Sequence, residues 1–316
     1  MKVVRKAFVA IIAILTGWMA QPAFAADKLT ILLDWFVNPD HAPLIIAQQK
    51  GYFSDAGLDV ELVAPADPNM PPKLVAAGKA DLAVSYQPQL HMQVAEGLPL
   101  VRIATLVATP LSSLVVLKDG PIKTIADLKG RKVGYSVGGF EDALLGTMLG
   151  KSGLSLTDVE LVNVNFSLSP SIISGQVDAV IGAYRNFELN QMDILKKPGR
   201  AFYPEEHGVP PYDELIIVAN RASLSDARLV RFLGALERGI QFLINHPDES
   251  WKLFIAAHKD LNDELNKRAW RDTLSRFALR PAALDSVRYE RFAKFLQRNK
   301  LIRSVPPVET YARDIR

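Results

Sequence analysis

Short apolar runs alternate with stretches of helical spacing along the first two thirds of the chain. Leu29–Leu33, Val60–Val63, Leu82–Tyr86, Leu100–Val107 and Leu114–Leu117 read as strands, and Lys132–Ser136, Val159–Val164, Ala179–Ala183 and Leu215–Ala219 continue the series. Between them, His41–Lys50, Pro72–Ala77, Pro88–Glu96 and Glu141–Lys151 read as helices, with a helical turn at Ile125–Leu128. Their punctuation is physical: Pro43 sits near a helix start, where its missing N–H costs nothing, and Gly51, Gly78 and Gly153 sit just past helix ends. Alternation of this kind predicts parallel sheets covered by helices. After Asn220 the pattern is helical throughout, at Ala227–Asn245, Glu249–His258, Asp263–Phe277 and Leu284–Asn299, with Pro247 and Pro281 as breaks. Beyond Val305 the tail is polar and proline-containing, and is expected to be loose.

One internal echo suggests two similarly built halves. Gly78-Lys-Ala-Asp81 followed by Leu-Ala-Val84-Ser-Tyr86 resembles Gly175-Gln-Val-Asp178 followed by Ala-Val-Ile181-Gly-Ala-Tyr184. Either block alone is an ordinary helix-to-strand turn. Together they place a tyrosine at the carboxyl end of a strand in each half, where open α/β sheets bind ligands. Two such edges facing one another would make a cleft.

The first 25 residues stand apart. Lys2, Arg5 and Lys6 precede an apolar stretch from Ala7 to Ala20, too short to span a bilayer, and Ala23-Phe24-Ala25 is a small-residue cleavage site. Residues 1–25 therefore read as a signal peptide, with a mature, soluble, periplasmic chain from Ala26. Those three cations account for the whole formal charge of +3, leaving 0 on the rest and no electrostatic case for nucleic-acid binding. The chain has no cysteine, which excludes disulfides, thiol catalysis, cysteine-based metal sites and a lipid-modified N-terminal cysteine. No metal-ligand spacing or phosphate-loop motif is present, and no cofactor is expected.

Several blocks together resemble the THI5/NMT1-like group of ABC-importer solute-binding proteins, over residues 29 to about 260. They are Asp34-Trp35 with Asn38-Pro39-Asp40-His41, Gly51-Tyr52-Phe53 with Gly57-Leu58-Asp59-Val60, Gly78–Tyr86, Asp127–Gly134, and Gly182-Ala183-Tyr184-Arg185-Asn186-Phe187-Glu188. The Asp-Trp…Asn…His and Tyr-x-Asn-x-Glu blocks resemble the pyrimidine-binding branch; the others are shared with sulfonate, nitrate and taurine binders. The resemblance implies an α/β, two-lobed type II periplasmic-binding fold, each lobe a mostly parallel sheet flanked by helices. Lobe one would combine 26–115 with 215–316 and lobe two would be 116–214, with hinge crossings near Leu114–Gly120 and Pro210–Glu214. It implies a monomer that captures a thiamine-related aminopyrimidine and delivers it to a membrane permease and a cytoplasmic ATPase.

A flat heteroaromatic ligand needs ring faces and aimed hydrogen bonds. Trp35, Tyr86 and Tyr184 are the candidate faces. Glu188, Asp34, Asn38 and Asn186 are candidates to pair with the exocyclic amine and ring nitrogen. His41, Gly139 and Glu141 complete the candidate set, Gly138-Gly139 because backbone N–H groups at a helix start can hold a carbonyl or anion. Each has an ordinary alternative: a core tryptophan, a loop cap at Asp34 or Asn38, a solvated helix position at Glu188, a plain turn at Gly139. Other ligands remain open. A sulfonate would want a cleft cation, for which Arg185 is the one candidate, and riboflavin is a further option. Gly134-Tyr-Ser136-Val-Gly138 matches a nucleophile elbow, which a hydrolase would complete with an acid such as Asp193 and then His207 or His258. The pyrimidine synthases of the group need, by resemblance, a cysteine-rich iron motif that this chain lacks. A partner role in ligand sensing is the remaining alternative to transport.

Overall fold

The computed structural model describes residues 26–315; the expected signal peptide lies outside them. Among the described residues the strands are β1 (Asp27–Leu32), β2 (Leu58–Val63), β3 (Leu82–Ser85), β4 (Leu100–Val107), β5 (Ser112–Leu117), β6 (Lys132–Tyr135), β7 (Glu160–Asn163), β8 (Ala179–Tyr184), β9 (Gly199–Phe202) and β10 (Leu215–Asn220). The helices are α1 (Ala42–Gln49), α2 (Tyr52–Asp55), α3 (Pro71–Ala76), α4 (Gln87–Ala95), α5 (Phe140–Lys151), α6 (Leu168–Ile173), α7 (Glu188–Ile194), α8 (Ala227–Asn245), α9 (Pro247–Ala257), α10 (Glu264–Thr273) and α11 (Ser286–Arg298). They form two five-stranded sheets, in order β2-β1-β3-β10-β4 and β7-β6-β8-β5-β9, each flanked by helices.

Each sheet is mixed, with four strands running one way and one reversed. β1–β2, β1–β3, β6–β7 and β6–β8 pair parallel, but β10 runs antiparallel to β3 and β4, and β5 antiparallel to β8 and β9. The two reversed strands are those that enter a sheet directly from the other lobe. They start on the cleft side, where the strands of the βαβ units end. Their apolar runs, Leu114–Leu117 and Leu215–Ala219, look like parallel core strands because burial on both faces erases the difference. β9 and the short helices α6 and α7 carry too weak a pattern to be read in advance.

The chain crosses between lobes at 108–111 and again at 203–214. The first crossing lies before Leu114, not after it, because Ser112–Leu117 is already paired with β8 and β9.

The internal echo is a shared hydrogen bond. Gly78 and Gly175 take positive φ at the end of α3 and α6. The aspartate three residues on then accepts a backbone N–H from the neighbouring parallel strand: Asp81 from Thr30 at 2.8 Å, Asp178 from Lys132 at 2.9 Å. In each lobe this fixes how the next strand enters the sheet, and so where Tyr86 and Tyr184 emerge.

The tail is docked, not loose. Tyr311 and Ala312 are buried, and Ala312 bridges to Arg102 on the edge strand β4. Arg102 is fully buried and gives its guanidinium to the carbonyls of Ala282 (2.8 Å), Pro281 (2.9 Å) and Ala283 (2.6 Å), and to Thr105 Oγ1 (2.8 Å). Its backbone N–H bonds the Tyr311 carbonyl at 2.8 Å and its carbonyl receives Arg313 N–H at 2.9 Å. One charged side chain thus satisfies a loop and the tail that together cover the sheet edge.

Arg102→Met should leave those carbonyls without a donor and destabilise the protein by about 3 kcal/mol or more, since each unsatisfied buried group costs about 1–3 kcal/mol. Chemical denaturation should show that loss, and limited proteolysis should now clip the chain beyond Val305.

A carboxylate-lined cleft between the lobes

The lobes enclose a cleft with an empty volume of about 510 Å³, lined by Asp34, Trp35, Asn38, Asp40 and Tyr86 of lobe one and by Phe140, Glu141, Leu168, Gly182, Tyr184, Phe187 and Glu188 of lobe two. Ser112 and Leu215, the first residues of the two crossing strands, line it as well. It lies where β1, β3, β6 and β8 end, at the carboxyl edges of both sheets. That volume includes space open to solvent at the cleft mouth.

Lobe one presents its residues on a rigid frame. Asn38 caps a single helical turn by accepting the Asp40 N–H at 2.8 Å, while its own N–H reaches His41 Nδ1 at 3.3 Å. With Nδ1 accepting, the other ring nitrogen carries the hydrogen, and His41 Nε2 donates to Asp34 Oδ1 at 2.9 Å. Tyr86 donates its hydroxyl to Asp34 Oδ2 at 2.8 Å. Asp34 is therefore held from both sides, and its remaining lone pairs are available to the cleft.

In lobe two, Glu141 lies in the first turn of α5 and accepts the Ser136 N–H at 2.8 Å. Its carboxyl packs against the backbone of Gly182, where a Cβ would meet Oε1 at 2.3 Å. Gly182 has φ +93, so both space and backbone require glycine in the middle of β8. Glu188 starts α7 and accepts the Tyr184 N–H at 2.6 Å. Among the cleft's polar atoms, Asp40 Oδ2, Ser112 Oγ and Tyr184 Oη are buried without a partner.

The lobes meet around the cleft. Tyr86 stacks on Phe140 with ring centroids 4.9 Å apart, and Trp35 meets Phe166 edge-to-face at 4.6 Å. Exposed Phe36 packs on the same Phe166 ring at 4.5 Å. Asn186 Nδ2 reaches Asp40 Oδ1 at 2.7 Å, and Asn190 Nδ2 reaches Asp272 Oδ2 at 2.8 Å.

Of the residues proposed from sequence, Asp34, Trp35, Asn38, Tyr86, Glu141, Tyr184 and Glu188 line the cleft. His41 stands behind Asp34, and Asn186 behind Asp40. Gly139 lies instead in a separate groove beside Asn69 and Gln93; its N–H is taken by Asp142 and that of Gly138 by Asn69. Arg185 does not enter the cleft. It pairs bidentately with Glu205 at 2.6 and 3.0 Å, lies 4.1 Å over the Tyr203 ring, and reaches the carbonyls of Leu111 and Ser112. The nucleophile elbow is also accounted for: Ser136 is buried and donates its hydroxyl hydrogen to the Asn165 carbonyl. Neither His207 nor His258 is bonded to it, so the triad is not assembled.

Sequence reasoning missed Asp40, Ser112, Phe140, Leu168, Gly182, Phe187 and Leu215. Asp40 stood inside the Asn-Pro-Asp-His block and Phe140 directly after a glycine pair, both findable. Ser112 and Leu215 reach the cleft only because the crossings do.

Burial pushes the carboxyl of Asp40 up to about 6, Glu188 and Glu214 to about 7, and Glu141 to about 8. Raised carboxyls hold extra protons in the folded state between their unfolded values near 4 and these values. The ligand-free protein should therefore lose stability as pH climbs from about 4 to about 8 and then level off. Calorimetric melting at pH 5 and pH 8.5 should show the fall, and Glu141→Gln should flatten its upper part. His91 works oppositely: burial among the rings of Tyr289, Phe292 and Tyr311 pushes it down to about 3, so its contribution is lost only as pH falls below 6.5.

Comparison with known proteins agrees with this architecture. A family model described as NMT1/THI5 like matches residues 38–250. A protein of Haemophilus influenzae named for thiamine biosynthesis is 57% identical, with 94% of this chain and 95% of that one aligned. The formylaminopyrimidine-binding protein of Halalkalibacterium halodurans is 34% identical over 79% of this chain and 77% of its own. Among solved structures, the alkanesulfonate-binding protein of Xanthomonas axonopodis pv. citri superposes with a TM-score of 0.71 at 18% identity, covering 92% of this chain and 99% of that one, which is a likeness of fold. The chain belongs to the NMT1/THI5-like family.

Proposed function

We propose that this chain is the periplasmic substrate-binding subunit of an ABC importer, and that its cleft captures a thiamine-related aminopyrimidine by hinge closure rather than transforming it. The observation that carries the reading is the cleft's composition: four carboxylates, aromatic faces, and no lysine or arginine among the lining residues. Such a site selects a flat ligand rich in hydrogen-bond donors. A 4-aminopyrimidine fits that demand. Its amine donates to a carboxylate oxygen, and a carboxyl kept protonated near neutral pH can donate to the adjacent ring nitrogen, so one acid pairs with both. Glu188 and Glu141, with values near 7 and 8, are suited to this dual role. Trp35, Tyr86 and Tyr184 supply ring faces, with Asp34 and Asn38 reading the remaining edge. The relative named as a formylaminopyrimidine binder makes this ligand class the first to test.

The sulfonate alternative loses its cation, since Arg185 is committed to Glu205 and the first crossing. A sulfonate in this cleft would face carboxylates and raise the cost of ionising them. Periplasmic delivery to a permease rests on the expected leader and on the two-lobed fold.

Aminopyrimidines should raise the melting temperature of the 26–316 chain, by an amount corresponding to about 2.7 kcal/mol at a hundredfold excess over Kd. Alkanesulfonates should leave it unmoved. Trp35→Ala should weaken binding by roughly tenfold or more through lost ring contact. Glu188→Ala should cost about 2 kcal/mol, because it leaves the ligand's amine and ring nitrogen without partners, whereas Glu188→Gln, which keeps one acceptor and one donor, should retain most of the affinity. Melting shifts and calorimetric titration read all of these; a sulfonate response instead would overturn the ligand assignment.

A further inference from the structure

Asp40 stands at the junction of the cleft and the contact between the lobes. It is 1% exposed and lines the cleft, with Oδ2 buried and unpartnered. Its other oxygen is engaged. Asn186, which follows β8 in lobe two, places Nδ2 at 2.7 Å from Oδ1, and also at 2.7 Å from Thr273 Oγ1 at the end of α10 in lobe one. The two hydrogens of that amide thus serve Asp40 and Thr273 together. Thr273 has one hydrogen to give, with Asp40 Oδ1 at 2.8 Å and the Ala269 carbonyl at 2.7 Å as competing acceptors.

Resting on the aminopyrimidine reading, we propose that Asp40 is the residue that makes lobe closure depend on the ligand: Oδ1 holds the latch to Asn186 of lobe two, and Oδ2 accepts a hydrogen bond from the ligand's amine. The two oxygens belong to one planar group, so holding one sets the direction of the other. Burial pushes the carboxyl up to about 6, against the pull of Thr273, His41 and Asn186, and with Asp34 opposing its ionisation. The bond from Asn186 to Oδ1 fixes the carboxyl's orientation, so Oδ2 is aimed at a ligand donor only while the latch is made. The ligand thereby binds more tightly to the closed arrangement than to the open one, which is the condition for it to drive closure. A ligand with an acceptor in place of the amine would meet Oδ2 lone pair to lone pair and leave the latch weak. Asp40 is in this sense both a specificity and a positioning residue.

The test uses the 26–316 chain with 4-amino-5-hydroxymethyl-2-methylpyrimidine and its 4-oxo counterpart as probes. Having no native cysteine, the chain can carry a dye pair at Lys129→Cys and Lys252→Cys, one exposed site on each lobe. Asp40→Asn should lower the preference for the amino over the oxo probe by about tenfold or more, as an amide N–H now faces the ligand. Asn186→Ala should raise koff by about tenfold with kon nearly unchanged, keep the amino preference, and shift the dye distance toward the open form. An Asp40→Asn variant that weakens both probes equally, or an Asn186→Ala variant with unchanged koff and distance, would overturn the proposal. If the wild type binds neither probe, the aminopyrimidine reading fails and the ligand half of this proposal with it. The latch half is then judged by the ligand-free dye distance, which must lengthen in Asn186→Ala and in Thr273→Val.

Discussion

The backbone of Leu111 and Ser112 is gripped from both sides, and the two-lobed arrangement turns on that grip. Their N–H groups are taken by one oxygen of Glu214, at 2.6 and 2.9 Å. Their carbonyls are reached by Arg185, whose guanidinium also pairs with Glu205. Glu214 and Glu205 belong to the second crossing and Leu111 to the first, so the two connections are bonded to one another before either meets solvent. Asp213, the residue before Glu214, is tied into lobe one through Thr105 at 2.8 Å and through Arg288. Two consecutive acids therefore anchor the return crossing in opposite directions. A buried carboxylate is tolerable only when so engaged.

The bonded crossings explain why the cleft is what it is. Ser112 and Leu215 line it because the crossing strands begin there, so a bound ligand rests against the joint itself. Arg185, the cation that an anion-binding relative would want in the cleft, is spent on holding the joint. The likeness to a sulfonate binder is thus one of scaffold, while the chemistry of the wall is acidic.

Much of this was legible in the chain. The paired Gly-x-x-Asp blocks announced two lobes with a tyrosine at each strand end, and residues of the Asp-Trp…Asn and Tyr-x-Asn-x-Glu blocks do converge. What escaped were features set by partners distant in sequence. The direction of β5 and β10 depends on the hinge, not on their own apolar runs. Arg185 looked like a ligand cation because nothing local reveals Glu205 as its partner. The tail looked loose because its anchor, Arg102, lies far upstream, and Asp40 was not among the candidates because its partner Asn186 comes from the other lobe.

The placement of Arg102 also bears on the order of events during synthesis. The carbonyls that receive its guanidinium come 179–211 residues later in the chain, and β10, which sits between β3 and β4, is made only after the whole of lobe two. Lobe two is contiguous and can close on itself, whereas lobe one lacks an internal strand until β10 is made, and Arg102 lacks its main carbonyl partners until residues 281–283 follow. The long-range pairing this demands is slow. A nascent chain therefore completes its contiguous lobe before its larger one.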